Sequence, residues 1–329
     1  MVSVGPPETL PATVLTGFLG SGKTTLLRRA LASPALADTA VIINELGEIA
    51  IDHHLVDFVE GDVLELPGGC LCCAMREDLA RTLRSLLDRR AAGEIRQFRR
   101  IVIETTGLAD PAPILFTLGA DPMLDQTLHL ARVVTLIDAV TGADNLDRFA
   151  EAGRQAALAD TLVITKTDLV PLGPVLASRL DAFNDRADRI IAADGEDAGL
   201  ILFGRGERSA APVPPVEPAA GHTHSIDAFG VILEGALTRL DFARALGSLA
   251  RERGTDLLRV KGIVSFADRP ERPAVVQAAQ HAMFAPEWLD GWPDQDHRSR
   301  LVFIVHDMPR DEILAHFAFA APTPWQPPS

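Results

Sequence analysis

The sequence predicts an α/β protein, with a first domain built on a mainly parallel sheet and a smaller α+β domain after it. Short apolar runs rich in β-branched residues alternate with segments of helical periodicity over residues 1–203. A stretch rich in Gly, Ala and Pro follows at 204–224 and is typical of an extended linker. Strands and helices resume over 225–329. The composition, 47% hydrophobic and 23% charged, suits two globular domains with ample core.

A glycine-rich turn follows the first predicted strand at 12–16. It reads Gly-Phe-Leu-Gly-Ser-Gly-Lys-Thr-Thr and fits the pattern G-x-x-x-x-G-K-[ST], with leucines at helical spacing after it. Glycines let the backbone curl and aim its N–H groups at phosphate oxygens, at a helix N-terminus that favours anions. The first domain is therefore predicted to be a P-loop NTPase domain. Its expected nucleotide-binding residues are Gly17, Gly20, Ser21, Gly22, Lys23, Thr24 and Thr25.

Two side chains near the phosphates are candidates for catalysis, Lys23 and Glu104. Lys23 is expected to reach the β- and γ-phosphates, and the Thr24 hydroxyl to ligate Mg²⁺. Glu104 ends an apolar strand, where an acid helps to hold Mg²⁺, usually through water, and the N–H of Gly107 can sense the γ-phosphate. Glu104 could instead cap a helix near Pro111. The E-x-x-G spacing after an apolar strand favours the nucleotide role.

A later strand ends in Thr165-Lys166-Thr167-Asp168, which fits the [N/T]-K-x-D turn of guanine-nucleotide proteins. In that turn the Lys166 stem lies over the purine, and the Asp168 carboxylate accepts from guanine N1–H and N2–H₂. Adenine offers no such pair of donors. Thr165 stands where Asn is commoner, and its hydroxyl can make one contact but no two-ended bridge. The affinity for the base is therefore expected to be modest.

All three cysteines of the chain lie within four positions, Cys70, Cys72 and Cys73, directly after two glycines. Cysteines so near one another in sequence cannot form disulfides that close long loops. In a reducing compartment such a cluster indicates a metal or redox site. Three thiolates could bind one Zn²⁺-like ion, with a carboxylate, imidazole or water as fourth ligand. The alternative is a set of small buried residues. The acidic segment 49–67 before the cluster is expected to be a surface connection.

The charge of the chain limits its partners. It carries 45 acidic and 31 basic residues, a formal net charge of −14, which argues against nucleic acid or an anionic membrane as a main partner. No run of about 18 apolar residues occurs, and the N-terminal segment lacks the features of a signal peptide. A cytoplasmic protein is expected, with no membrane and no nucleic-acid partner. His222 and His224 at the linker end could share a metal, although a solvated pair is commoner.

In their order and spacing, five motifs together resemble the CobW-type family of metal-trafficking GTPases. The resemblance extends to the C-terminal domain through 261–263 and 299–304, so it covers essentially the whole chain. The C-x-C-C cluster between the phosphate loop and E-x-x-G is its most specific feature. The five motifs are residues 17–25, 44–48, 69–73, 104–111 and 165–168.

The resemblance implies slow, Mg²⁺-dependent GTP hydrolysis and delivery of Zn²⁺ or Co²⁺ to a metal-requiring client protein. It leaves open a homo-oligomer that depends on nucleotide or metal. Many relatives carry a long histidine run near the linker, whereas only His222 and His224 stand there in this chain, so bulk metal storage is not expected. The metal ligands that the resemblance implies are Cys70, Cys72 and Cys73, with Glu48 as an additional one.

Two other functions remain compatible with these motifs. One is a P-loop small-molecule kinase or an ATPase, in which the cysteines are structural. A kinase of this type needs a lid, and no Arg-rich lid segment is found. The other is a metal-regulated binding module whose hydrolysis is vestigial. Comparing GTP and ATP turnover with and without Zn²⁺ separates the three.

Overall fold

A computed structural model of the protein describes residues 9–31, 38–44, 63–65, 72–192, 198–203, 226–235 and 237–324. The chain forms two compact units. The first comprises Met1–Ala177 and Ala187–Gly206, and the second comprises Ser178–Arg186 and Glu207–Ser329. The predicted linker at 204–224 lies outside the described residues, so the domain boundaries stay predictions.

The first unit contains a seven-stranded sheet in which every strand pair is parallel. Its strands are β1 (Leu10–Gly17), β2 (Thr39–Asn44), β3 (Val63–Glu65), β4 (Arg100–Thr105), β5 (Leu128–Asp138), β6 (Thr161–Thr165) and β7 (Asp188–Ile191). They lie in the order β3-β2-β4-β1-β5-β6-β7. The fold class expected for this part is confirmed. Strand β1 is therefore central, and the carboxyl ends of all strands meet at one edge of the sheet.

Helices connect these strands and cover the sheet. They are α1 (Lys23–Leu31), α2 (Cys72–Ala91), α3 (Ala112–Ala120), α4 (Pro122–Thr127), α5 (Gly142–Arg148), α6 (Ala150–Ala157) and α8 (Ala198–Phe203). Helix α7 (Pro174–Asn184) belongs to the first unit only up to residue 177. The core contains fully buried side chains of α1 and of the central strands, among them Leu15, Leu27 and Val102. Burying such a side chain stabilises the fold by roughly 1.5–3 kcal/mol.

Two features of the first unit differ from the sequence prediction. The segment 49–67, expected to be a surface connection, contributes strand β3, whose Val63 pairs with Val41 of β2. Helix α2, expected from Met75, begins at Cys72 and so takes in two of the three cysteines. Strand β3 has three residues, too few to show an alternation in the sequence.

The second unit contains the smaller α+β domain that the sequence predicts. An antiparallel sheet packs against helices α9 (Arg239–Arg253) and α10 (Arg310–His316), around a core that includes Phe303 and Phe317. A short 3-10 turn, Ala318–Ala320, follows α10. The strands are β8 (Ile226–Leu233), β9 (Leu257–Val264), β10 (Ala274–Ala279), β11 (Ala282–Met283), β12 (Glu287–Trp288), β13 (Ser299–His306) and β14 (Thr323–Pro324). Their order is β11-β10-β9-β13-β8-β14, with β12 beside β10.

Within the described ranges, no helix is both long and apolar enough to cross a membrane.

Candidate nucleotide and metal site

The phosphate loop between β1 and α1 has the backbone that its glycines predict. Gly17, Gly20 and Gly22 have φ angles of 142°, 74° and 96°. A side chain is also excluded at Gly17 by space, because a Cβ atom there would lie 2.5 Å from the carbonyl oxygen of Leu136. Glycine at this position lets the loop turn tightly over the end of β5.

Lys23, the first residue of α1, lies inside the loop and is 8% exposed. Its Nζ donates hydrogen bonds to the carbonyl oxygens of Gly17, at 2.7 Å, and Phe18, at 3.3 Å. Burial lowers the pKa of Lys23, and the nearby carboxylate of Glu104 opposes this shift in part. A buried ammonium group held among loop carbonyls is suited to an anionic ligand, because such a ligand stabilises its charged form.

Thr24 and Glu104 meet at the base of the loop. The Thr24 hydroxyl donates to Oε1 of Glu104 across 3.2 Å, and Glu104 is 5% exposed. The pairing of β1 with β4 sets Glu104 opposite Leu15, and the Thr105 hydroxyl donates to the Thr16 hydroxyl at 2.8 Å. A hydroxyl and a carboxylate side by side are the oxygen donors that Mg²⁺ prefers, so these residues fit that ion.

The E-x-x-G loop presses against the phosphate loop. A Cβ atom on Gly107 would lie 2.7 Å from the backbone nitrogen of Leu19 and 2.6 Å from its Cδ2. Only glycine allows this approach without a shift of one loop. Gly107 is thus held in contact with Leu19, in the loop that is predicted to bind phosphate.

Helix α6 holds the other side of the E-x-x-G loop. The side-chain amide of Gln155 donates to the carbonyl oxygens of Gly107, at 3.2 Å, and Ala109, at 2.9 Å. Arg154 forms an ion pair with Asp110 at 3.0 Å. Sequence patterns do not reveal Gln155, because its partners are backbone carbonyls, which every residue carries.

The T-K-x-D loop is bonded directly to the phosphate loop. The Thr165 hydroxyl lies 2.7 Å from the carbonyl oxygen of Ser21, to which it donates, and 3.3 Å from that of Ile137. Its single proton serves one of these acceptors at a time. Asp168, two residues beyond Lys166, is exposed to solvent. The Thr165 hydroxyl therefore links the T-K-x-D loop to the phosphate loop. The carboxylate of Asp168, which is expected to bind the guanine base, is accessible to a ligand.

Lys166 adopts a left-handed backbone, with φ of 57°, and its Nζ forms an ion pair with Asp138 at the end of β5. Asp138 is 4% exposed and also accepts from the backbone N–H of Val140 at 2.7 Å. Burial alone would raise the pKa of Asp138, but the bonds from Lys166 and Val140 outweigh it and hold that pKa below its ordinary value. Asp138 is the last residue of β5 and Glu104 the next-to-last of β4, so an acid at the end of an apolar strand is the sequence signal that could have indicated Asp138 as a site residue.

Two hydroxyl groups at the site need a further partner. Among the described residues, the buried hydroxyls of Ser21 and Thr106 have no hydrogen-bond partner. Unpaired buried hydroxyls are costly, so a site that leaves two of them is suited to a polar ligand or to ordered water.

An aromatic contact joins the phosphate loop to the segment before α6. Phe18 of the phosphate loop stacks on Phe149, which precedes α6, with ring centroids 4.8 Å apart.

The predicted metal ligands fall largely outside the described residues. Glu48, Cys70, His222 and His224 lie there, and of Cys72 and Cys73 only the backbone, in the first turn of α2, is described. Elsewhere in the described chain, no group of three or more His, Cys, Asp or Glu side chains could hold a metal. The metal site therefore stays a prediction from the sequence.

Comparison with known proteins gives a consistent result. Residues 11–190 match the model of the CobW/HypB/UreG nucleotide-binding domain, and residues 226–321 match that of the cobalamin synthesis protein cobW C-terminal domain. The zinc chaperone YjiA of Escherichia coli (strain K12) is 35% identical over 314 residues, 94% of this chain and 98% of YjiA. The zinc chaperone CobW of Sinorhizobium sp is 31% identical over 356 residues, 95% of this chain and 97% of that protein.

A solved structure agrees over the same length. The crystal structure of Zn(II)-bound YjiA GTPase from E. coli covers 95% of this chain and 99% of its own, with a TM-score of 0.66 and 31% identity. A Zn(II)-bound triple mutant of that protein gives a TM-score of 0.69. The family predicted from the sequence is thereby confirmed: the chain belongs to the CobW/HypB/UreG family of nucleotide-binding proteins, in its CobW form with the cobW C-terminal domain.

Proposed function

We propose that this protein is a GTP-hydrolysing metallochaperone. It binds Zn²⁺, or Co²⁺, through the C-x-C-C loop and delivers the ion to a metal-requiring client protein under nucleotide control. The ligands are the thiolates of Cys70, Cys72 and Cys73, with Glu48 as an additional one. Relatives over nearly the full chain are named zinc chaperones, and one of them a GTPase.

The proposed GTPase activity rests on one observation: Lys23, Thr24 and Glu104 converge at the phosphate loop. Lys23 supplies a buried positive charge for the β- and γ-phosphates. Thr24 and Glu104, bonded to each other at 3.2 Å, would hold Mg²⁺, Glu104 through water. When bound, that ion neutralises charge on the phosphate oxygens.

The base is guanine in this proposal. Thr165 ties the T-K-x-D loop to the phosphate loop at 2.7 Å, so the base and phosphate subsites keep a fixed separation. Asp138 orients Lys166, whose stem forms a platform for the purine. Asp168 then accepts two hydrogen bonds from guanine, which adenine cannot supply.

Slow turnover fits the residue that follows Gly107. Leu108 is 50% exposed and has no group that could orient an attacking water. Other phosphate-loop enzymes use a glutamine side chain for that purpose and still hydrolyse slowly without a partner. When GTP hydrolysis serves only to trigger metal release, a slow hydrolysis rate is sufficient.

Nucleotide control of the metal is supported by the register of three strands. Ile43 of β2 pairs with Glu104 on one side and with Glu65, the last residue of β3, on the other. Neighbouring strands are about 4.8 Å apart, so the backbones of Glu65 and Glu104 lie roughly 10 Å apart. Cys70 follows five residues later. A helix N-terminus, where Cys72 and Cys73 stand, favours anionic groups such as thiolates.

The decisive experiment is a Zn²⁺ titration against a competing chelator, with GDP and with a non-hydrolysable GTP analogue. We expect tighter Zn²⁺ binding in the GTP-like state, by a factor within the usual 5–150-fold range of such coupling. Coupling is reciprocal, so Zn²⁺ should tighten GTP binding by the same factor. Equal Zn²⁺ affinities in both states would leave two independent sites and no delivery mechanism.

A second measurement separates this proposal from a phosphate-loop kinase or ATPase with structural cysteines. Turnover of GTP and of ATP is compared with and without stoichiometric Zn²⁺. We expect GTP to be preferred and Zn²⁺ to change its turnover. A preference for ATP that ignores Zn²⁺ would favour the alternative.

A further inference from the structure

We propose that Gln155 of α6 is a positioning residue for GTP hydrolysis: its side-chain amide holds the E-x-x-G loop in the shape that recognises the γ-phosphate. The inference rests on the proposed function, because it concerns the same nucleotide site. It adds a residue that has no place in the phosphate-loop, E-x-x-G or T-K-x-D motifs.

Gln155 is itself firmly held. Its side chain is 1% exposed, and its backbone carbonyl accepts a hydrogen bond from the Thr135 hydroxyl at 2.8 Å. An amide NH₂ group has two protons. Those of Gln155 are directed to two acceptors, the carbonyl oxygens of Gly107 at 3.2 Å and Ala109 at 2.9 Å. Both donors are therefore used on one short loop.

These two bonds fix the direction of the loop's N–H groups. In a planar trans peptide, the C=O and the N–H of the next residue point in opposite directions. Since the carbonyls of Gly107 and Ala109 face Gln155, the N–H groups of Leu108 and Asp110 point away from α6. The N–H of Ala109, between them, donates to the carbonyl oxygen of Thr106 at 3.1 Å, so the loop is closed as a turn. The bond to the Gly107 carbonyl fixes the backbone at Gly107, whose N–H is the group expected to meet the γ-phosphate. Without Gln155, these peptides could rotate, and the Gly107 N–H would lose its fixed position.

Two further contacts join α6 to the nucleotide loops. Arg154 forms the ion pair with Asp110 at 3.0 Å, and Phe149, which precedes the helix, stacks on Phe18 of the phosphate loop. The phosphate loop and the E-x-x-G loop are thus both attached to one short helix. Gly107 also lies directly against Leu19, so a displacement of the E-x-x-G loop would displace the phosphate loop, and the reverse.

The test compares Gln155→Met with a matched control, Thr135→Val. Methionine has the length of glutamine but no donor. Valine has the shape of threonine and removes only the bond to the Gln155 backbone, leaving the amide in place. For each protein we measure the dissociation constants of GDP and of a non-hydrolysable GTP analogue, together with kcat and KM for GTP.

In Gln155→Met we expect the preference for the GTP analogue over GDP to fall about tenfold, the effect of losing one or two hydrogen bonds. GDP affinity should stay within about twofold of wild type, and kcat should fall more than KM rises. Thr135→Val should keep the wild-type preference. A purely structural Gln155 would weaken both nucleotides alike, and that result, or an unchanged preference, would overturn the proposal.

Gln155→Asn serves if Gln155→Met does not fold, since asparagine keeps an amide at this buried position but is one methylene too short to keep both bonds. It should lower the preference about two- to tenfold, the range for one lost hydrogen bond. An unchanged preference in this variant would then overturn the proposal. If wild type binds neither guanine nucleotide, the proposed function itself fails. If wild type binds both and the variants keep its preference, only the role of Gln155 fails.

Discussion

The hydroxyl of Thr24 donates a hydrogen bond to Oε1 of Glu104 across 3.2 Å, although 80 positions separate the two residues. They meet because β1 and β4 are parallel neighbours whose carboxyl ends lie at the same edge of the sheet. Thr24 follows β1 through the phosphate loop, and Glu104 is the next-to-last residue of β4, where the E-x-x-G motif begins. This pair is the centre of the proposed Mg²⁺ site.

Glu104→Gln should lower GTP turnover by about 100-fold or more, because a weakened Mg²⁺ contact removes several kcal/mol of charge stabilisation. Turnover measured against Mg²⁺ concentration should show a right-shifted dependence. Thr24→Ala should act in the same direction, and the double variant should lose less than the sum of the two effects, since both act on one ion. GDP binding in EDTA is the control and should change little. Wild-type turnover in Glu104→Gln would contradict the site.

Asp168→Asn should weaken GTP binding and favour xanthosine triphosphate, whose C2 carbonyl accepts from an amide. Leaving the guanine donors unpaired costs about 1–3 kcal/mol, roughly 5- to 150-fold in affinity. Competition binding with both nucleotides measures the switch. Equal GTP affinity in wild type and variant would remove the guanine assignment.

Asp138→Asn is the matched control for that switch. It removes the partner of Lys166 and should weaken the binding of both nucleotides to the same degree, because the lysine stem contacts any purine.

The pKa of Asp138 is lowered in the folded protein. The ionised carboxylate therefore stabilises the fold above the ordinary pKa of 3.8, and this stabilisation is lost as pH falls through the lower folded-state pKa. The platform should therefore persist throughout the mildly acidic range.

Lys23→Met should abolish the thermal stabilisation that GTP confers and should change the pH dependence of the nucleotide-free protein. Burial lowers the pKa of Lys23 from 10.5, so between the lowered value and 10.5 the unfolded chain binds more protons than the folded one. The free energy of unfolding should rise with pH across this window in wild type. The variant should lack that rise, as measured by urea unfolding at a series of alkaline pH values. The same slope in both proteins would show that Lys23 keeps an ordinary pKa.

Replacing Cys70, Cys72 and Cys73 together by Ser should eliminate the intense thiolate-to-metal absorption expected of the Co²⁺-loaded protein. Metal binding in wild type should also release protons and weaken as pH falls, because ligand thiols must deprotonate. Replacing His222 and His224 by Ala is the comparison, and we expect it to retain the absorption. An unchanged spectrum and stoichiometry in the cysteine variant would exclude the cluster.

The sequence predicts those parts of the site whose chemistry lies in short contiguous motifs. The phosphate loop is one, and the nearness of Thr24 and Glu104 follows from the rule that parallel strands present their carboxyl ends together. Gln155 escapes prediction because its partners are backbone carbonyls distant in sequence. Helix α3 carries no amphipathic stripe, since almost all its residues are apolar or small. The orientation of such a helix is set by the elements packed around it, and these are known only from the folded structure.

The left-handed backbone of Lys166 gives the base loop an unusual thermodynamic position. A side chain in this conformation carries strain of about 1–2 kcal/mol, which glycine would not. Lys166→Gly would relieve that strain, but it would also leave the buried Asp138 carboxylate without its ion pair, so we expect no net gain in stability. The same change would remove the purine platform and the partner of Asp138. The ion pair with Asp138 therefore offsets the strain of the left-handed backbone, and the loop keeps a charged side chain in place for a ligand without an isolated weak point in the fold.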